Sequence, residues 1–531
     1  MAQFNKTVRQ ARDVNDYVSV KDFGAKGDFD GTTGTDDYAA IQAAINYLFS
    51  IGGGTLYFPT GKYRITQPLN LAGNATAGRF GNTPIVFKGA GMPNTFDTGS
   101  WATYGGSWIV GQTAGWIMDL TGMQYFSCEE MGFRGTGTNA STLGILSARS
   151  TVVKFAHNQY FRKCVIWIDT KPTASAVGSI ALGNNGAETF LMDHCWLIAD
   201  TPLALTFNNS TDLNFVSPYV SIEYGPGFLS STMMNFRNTT FLALTGHATR
   251  IQGAMNVFFD TCIWSKDAAN TTVGGIQLVA GQTGTAHCQD LRITGQVEQF
   301  QSAVVIDDAF IWNVDFNLML ANVTGAYVAV GLAEMNNCRF NFHPAFGATP
   351  NYVFNSAFSS KLNGGEVDLY AGGSLTANTN LTSYGALIRG HNVDTSVSLG
   401  LNPSSNYLAT GTTGTKVVQP APVLITPNAA NNATSGAAPN GLQSQLMSDG
   451  TVQLSGTFVP NGATTIAAGV LAGTINAAHC PNREVDTVVY ITGVLYYLRI
   501  LANGSIFLGG NVVGGSGQTA NIDCVRYKQF N

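Results

Sequence analysis

The chain has 531 residues, a formal net charge of −5 and charged side chains at only 11% of positions, against roughly a quarter in ordinary soluble domains. With few bases and no run of them, nothing is available to neutralise a phosphate backbone, which argues against a nucleic-acid partner. No apolar stretch reaches the roughly 18 residues that a membrane-spanning helix needs, which argues against membrane insertion.

The first 17 residues hold no hydrophobic region of the secretory kind, so the chain is expected to be made and folded in a cytosol. From Val18, "VSVKDFG" alternates apolar and polar residues and reads as a short strand ending at Gly24. Thr35 or Asp36 offers a cap to the helix that follows, in which Ile41, Ala44, Ile45 and Leu48 recur along one face. "GGGTLYFPTGKYRI" then gives two strands separated by a Pro-Thr-Gly turn.

Beyond that point helical periodicity gives way to a loose cadence: an apolar residue, two polar ones, a small residue that is often Cys, then alternation. It runs through "FRKCVIW", "LMDHCWL", "FRNTTF", "FFDTCIW", "LRITGQVE", "WNVDFNL", "MNNCRF" and "KLNGGEV", with several steps about 19 to 33 residues apart, the range of coils in a parallel β-solenoid. Cys164, Cys195, Cys262 and Cys338 would then stack inward at one corner. The eight cysteines lie singly, without CxxC or Cys/His ligand spacing, so free thiols and no metal site are expected. Cys480 and Cys524 could pair in an oxidising medium. An amphipathic helix over the first coil would seal the solenoid's open end.

The cadence stops near residue 400. Residues 401–420 read as a Pro/Gly/Ala/Asn-rich linker, and 421–531 alternate like the strands of an antiparallel sandwich, with Asn503-Gly504 as a hairpin turn.

Four motifs in order, "VSVKDFGAKGD", "TDDYAAIQAAI", "GGGTLYFPTGKYRI" and "IVFKGAG", span about 75 residues. Together they resemble the leading segment of the pectate-lyase-3 type of single-stranded right-handed β-helix. The resemblance implies an all-β fold: a capping segment with one helix at 18–90, a right-handed parallel β-helix over 91–400, and a C-terminal antiparallel β-sandwich-like domain. It makes Asp22, Asp28, Asp36 and Asp37 capping and turn residues, and it leaves the insertion "FDGTTG" as a surface bulge. Few charges, a long β-helix and a C-terminal β module further resemble bacteriophage tailspikes, the capsule or O-antigen depolymerases. That implies a homotrimer in the virion tail, joined through residues 1–17 to another tail protein. It would act on bacterial surface polysaccharide at the host surface and need no cofactor.

Glycoside hydrolysis takes two carboxyls about 5 to 9.5 Å apart, a spacing that outward residues on nearby coils can supply. Aligned on the small residue, Val297, Phe316, Phe340 and Val367 point inward. They leave outward columns of Gln296, Asp315, Arg339, Glu366 and of Glu298, Asn317, Asn341, Asp368. Glu298, Asp315, Glu366 and Asp368 are therefore the catalytic candidates, and Arg339, Asn317, Asn341 and Arg292 the substrate-binding ones. Val165, Trp167, Trp196, Ile198 and Leu242 form an outward apolar set suited to subunit contact. A β-eliminating lyase would instead use His157, Arg237 and Arg339. A spike that binds glycan without cutting it is the third reading. His194 reads as a turn residue and Glu223 as a reserve acid. Asp307-Asp308 is discounted as a polygalacturonase pair, because the companion signatures of that family are missing.

Overall fold

The structure is a computed structural model that describes residues 17–73, 81–93, 105–113, 115–136, 142–149, 156–168, 179–206, 234–266, 274–280, 287–331, 333–345, 352–356, 360–370, 381–384, 387–391, 407–411, 414–418, 423–431, 433–435, 442–446, 451–461, 465–469, 471–475, 480–481, 483–491, 494–509, 511–513, 520–522 and 525–528. Glu223, Cys524 and residues 1–16 of the expected attachment peptide lie outside them. The chain forms two compact units, residues 1–360 with 375–378 and residues 361–374 with 379–531.

The first unit opens with the acidic residues in architectural roles. Ser19 and Asp22 form a reciprocal capping box around a short 3-10 turn, Val20–Phe23. Asp28 accepts from the amide and hydroxyl of Thr35, and Asp36 from the amide and hydroxyl of Thr66. The helix is Tyr38–Ser50 with Asp37 at its N-cap position. Asp36 also accepts from the Tyr38 amide, as a cap should. Asp37 reaches away to the amides of Lys26 and Gly27 instead. Within the inserted "FDGTTG", Asp30 accepts from the amides of Thr32 and Thr33; those bonds pull its carboxyl down to about 2 and make the bulge a closed Asx-type turn. Ile41, Ala44, Ile45 and Leu48 are fully buried, while Gln42 exchanges two hydrogen bonds with the backbone of Asn70. The predicted face is thus the buried one.

Parallel coils follow. One sheet takes a single strand from each turn: Leu69–Asn70, Gly115–Asp119, Thr142–Ala148, Ile180–Asn185, Thr201–Thr206, Thr249–Gln252, Gly274–Val279, Ser302–Asp307, Ala326–Val330 and Tyr352–Ser356, each parallel to the next. The opposite wall is formed by strands such as His157–Arg162 and Val165–Ile168, divided by a corner. Between the walls, Phe58, Phe87, Phe126, Phe161, Phe190, Phe236 and Phe259 make a continuous run of ring contacts, 4.8 to 5.8 Å between centroids. This is the β-helix expected from the cadence.

The corner takes a left-handed residue followed by a buried inward one. Glu130, Lys163, His194, Asn238 and Thr261 all have φ near +50°, so His194 is the turn residue its position suggested. Each following thiol is buried and donates to a carbonyl of the previous coil: Cys164 to Cys128, Cys195 to Phe161, Cys262 to Phe236. Cys338 departs from this column. Cys262 pairs with Gly295 and Gly295 with Leu318, whereas Cys338 follows Val314 and Leu291, four residues earlier. A second corner has taken over there, built on Asn256, Asp290, Asn313 and Asn337, also with positive φ. Asn313 and Asn337 bridge its coils by side-chain hydrogen bonds of 2.9 and 2.8 Å. The strands Cys288–Glu298 and Phe310–Ala321 run through the old corner. A bulge between Phe259 and Cys262 accommodates the change.

In the second unit, Glu366–Tyr370 and Leu387–His391 are parallel neighbours. The region expected as a linker contributes two strands, Tyr407–Gly411 beside Leu387–His391 and Gly414–Val418 antiparallel to it, and the division between units falls earlier, at residue 360. The C-terminal segment is antiparallel throughout its described pairs, as expected. Val485–Ile491 and Val494–Ile500 form a hairpin, and Asn503-Gly504 turns the chain into Ser505–Leu508, with Gly504 at φ +82°. Leu442, Leu454, Phe458, Leu498, Ile506 and Leu508 are among its core residues.

Candidate functional site

Outward side chains on consecutive coils stand in columns, and the longest charged column was not anticipated. Tyr57, Lys88, Glu129, Arg162, Asp193, Arg237 and Asp260 are successive partners in register, so the signs alternate from Lys88 onward. Glu129 bonds both neighbours, Lys88 at 2.9 Å and Arg162 at 3.1 Å. Partial burial would push the Glu129 carboxyl up, but the Lys88 ammonium and the Arg162 guanidinium hold it below the usual carboxylate range. A carboxylate clamped between two cations is a poor proton donor. The signal was legible: these residues stand two places before each small residue of the cadence, as in "FRKC", "LMDHC" and "FFDTC".

Two residues to the side, the alternation resumes. Arg292 pairs with Asp315 and Asp315 with Arg339, while Asn317 pairs with Asn341 and accepts its amide at 3.3 Å. Arg292, Arg339 and Asn317 are exposed. Three predicted binding residues therefore adjoin Asp315, and Phe316 and Phe340 point inward as expected. Glu298 does not join them. It stands opposite Ala321, six residues beyond Asp315, on the order of 20 Å along an extended strand. That exceeds the separation at which two carboxyls can share a glycosidic bond. The cause is the change of corner: aligning "LRITGQVE" on Gly295 rather than Leu291 displaces every residue of that strand by four.

Glu366 and Asp368 lie in the second unit, on one strand and one face, with Val367 between them fully buried. Two residues of strand put their Cα atoms roughly 6.6 Å apart. Asp368 is 6% exposed and stands in register with Arg389.

The lyase candidates do not converge. His157 is the partner of Glu188, whereas Arg237 continues the Arg162 column, five residues along the strand or roughly 16 Å. The apolar set is partly used within the chain itself. Val165 packs with Phe29, Trp108 and Val110, and Trp196 lies against this cluster; Ile198 is 4% exposed, and Arg134 lies 3.5 Å over the Trp167 ring. The Trp196 column continues through Thr240, Ile263 and Gln296 to Met319, where Ile263 and Met319 are 38% and 44% exposed. In the C-terminal domain, a hollow of about 450 Å³ is lined by Tyr497, Phe507 and the Asp486–Arg499 ion pair.

Residues 17–199 match the family model described as rhamnogalacturonase A/epimerase, pectate lyase-like. The mannuronan C5-epimerase AlgE3 of Azotobacter vinelandii is 38% identical over 105 residues, 20% of this chain and 5% of that protein. The capsule K3-specific depolymerase 1 of Klebsiella phage KP32 is 40% identical over 94 residues, 17% of this chain and 10% of that one. The matched stretch thus spans a tenth or less of these two relatives. Among solved structures, the enzymatically active domain of tailspike protein 2 from bacteriophage CBA120 aligns over 97% of this chain and 70% of its own, at 12% identity and a TM-score of 0.46. The chain folds as a pectate-lyase-type β-helix, and its leading third is similar to the rhamnogalacturonase A/epimerase, pectate lyase-like family.

Proposed function

We propose that the protein is a bacteriophage tailspike depolymerase that binds and cleaves a bacterial surface polysaccharide by glycoside hydrolysis. The observation that carries this reading is the match of residues 17–199 to a polysaccharide-acting family, with a capsule depolymerase and an alginate lyase among the relatives similar to part of the chain. Glu366 and Asp368 are the carboxyl pair: one protonates the leaving oxygen while the other activates water on the opposite face of the sugar. Arg292, Arg339, Asn317 and Asn341 bind the polymer, the arginines through its acidic groups and the amides through its hydroxyls. The protein works as a homotrimer at the virion tail, held to another tail protein by its N-terminal peptide, with the C-terminal domain serving assembly, sugar binding or both.

The test is incubation of the purified protein with alginate and with a panel of capsular and O-antigen polysaccharides. Chain length, reducing ends and ultraviolet absorbance are then followed. Shortened polymer with new reducing ends and no unsaturated product supports hydrolysis. An ultraviolet-absorbing product moves the assignment to a lyase. Retention of polymer at full length makes the protein an adhesive spike.

A further inference from the structure

On the wall of the β-helix that carries the second corner, a histidine, a buried aspartate and two aromatic rings meet outside every site described above. His287 Nδ1 lies 2.7 Å from Asp308 Oδ1. Asp308 is fully buried; its Oδ2 accepts the Cys288 amide at 2.8 Å, and the Oδ1 that meets His287 also accepts the Phe310 amide at 3.2 Å. This surrounding fixes the carboxylate, which in turn fixes the imidazole, taking Nδ1 and leaving Nε2 for a ligand. The ring edge of His287 meets Phe310 and Trp312 at 5.2 and 5.4 Å, and these two stack on each other at 5.8 Å with planes 14° apart. Phe310 is 38% exposed.

Register extends the cluster. Trp312 stands between Gln289 and Asn336, and Phe310 beside Glu334. The result is an aromatic shelf bordered by two amides, a carboxylate and an oriented imidazole. A stack of one exposed and one half-buried ring beside polar side chains has the chemistry of a sugar-ring subsite: the apolar C–H face lies on the aromatics while hydroxyls reach the polar rim.

We propose that His287, Phe310 and Trp312 form a subsite for a pyranose ring, with Asp308 as the positioning residue of His287. The inference rests on the glycan-acting reading above and adds a second contact point along the β-helix. The experiment uses saturation-transfer NMR of the full chain with the methyl pyranosides of glucose, galactose and mannose, alongside the polymer-cleavage assay.

The expected result is transfer to at least one of these sugars, weakened about 10-fold in Trp312→Leu and Phe310→Leu. In His287→Gln, which keeps a donor toward Asp308, binding should weaken about 3- to 10-fold. Melting temperatures serve as the folding control. Sugar binding that the variants lose, without polymer cleavage by the parent, upholds the subsite and overturns the depolymerase. Polymer cleavage with no transfer to any pyranoside, or with variants unchanged in both assays, overturns the subsite alone. Concentration-dependent self-association that Trp312→Leu abolishes, without sugar transfer, assigns the shelf to a second copy and also overturns it.

Discussion

Asp37 and Glu129 carry opposite perturbations, decided by the balance between burial and what each carboxylate is bonded to. Burial pushes Asp37 up in spite of the Lys26 and Gly27 amides, whereas Lys88 and Arg162 hold Glu129 down. A depressed folded-state value means that Glu129 contributes stability fully above its unfolded value of about 4.3, and loses it as pH falls through the folded value. Melting temperatures of the parent and Glu129→Gln should therefore differ most at neutral pH and converge below about pH 4. Added salt should narrow the neutral-pH gap, since both ion pairs are partly exposed. For the proposed catalytic pair, Glu366→Gln and Asp368→Asn should each lower the rate of polymer cleavage about 10²- to 10⁴-fold while leaving far-UV circular dichroism unchanged. A loss below threefold in both would remove them from the reaction.

Among the elements, the change of corner explains what could and could not be read in advance. Both corners make the same local demand, a left-handed residue and then a buried inward one, so Cys262 and Cys338 look alike in the cadence although their columns lie four residues apart. The same displacement separates Glu298 from Asp315. What was legible was the periodicity, the inward Phe316 and Phe340, the free thiols among the described cysteines and the turn role of His194. The illegible part was set by a bulge, which leaves no mark in alternation on either side of it. Gly295 sits at that point because a Cβ there would come within 1.9 Å of the Cys262 carbonyl oxygen. Gly295→Ala should destabilise the chain by about 1–3 kcal/mol, visible as a lower denaturation midpoint, whereas Gly364→Ala meets no atom within 4 Å and bears only its backbone strain.

For the whole molecule, the leading motif was enough to identify the fold, because capping the first coil fixes a set of turns and one helix that few other architectures need. Asp22, Asp28, Asp36 and Asp37 all took the roles expected of them. The boundary near residue 400 was less readable, since the glycine-rich composition that suggests a linker also suits the strands at Tyr407–Val418. Assembly is where Ile263 and Met319 bear on the argument. They continue the Trp196 column and stay 38% and 44% exposed in the single chain, the kind of apolar surface that a partner covers. Light scattering should find the parent trimeric and Ile263→Asp/Met319→Asp monomeric; a trimer that survives both changes would place the contact elsewhere.

Cys128, Cys164, Cys195, Cys262, Cys288 and Cys338 are all buried and free, which turns the interior into its own unfolding gauge. A thiol-specific dye added to the native protein should find almost nothing to label in the β-helix. On gradual denaturation, the order in which these six sulfurs become reactive would map which end of the solenoid frays first.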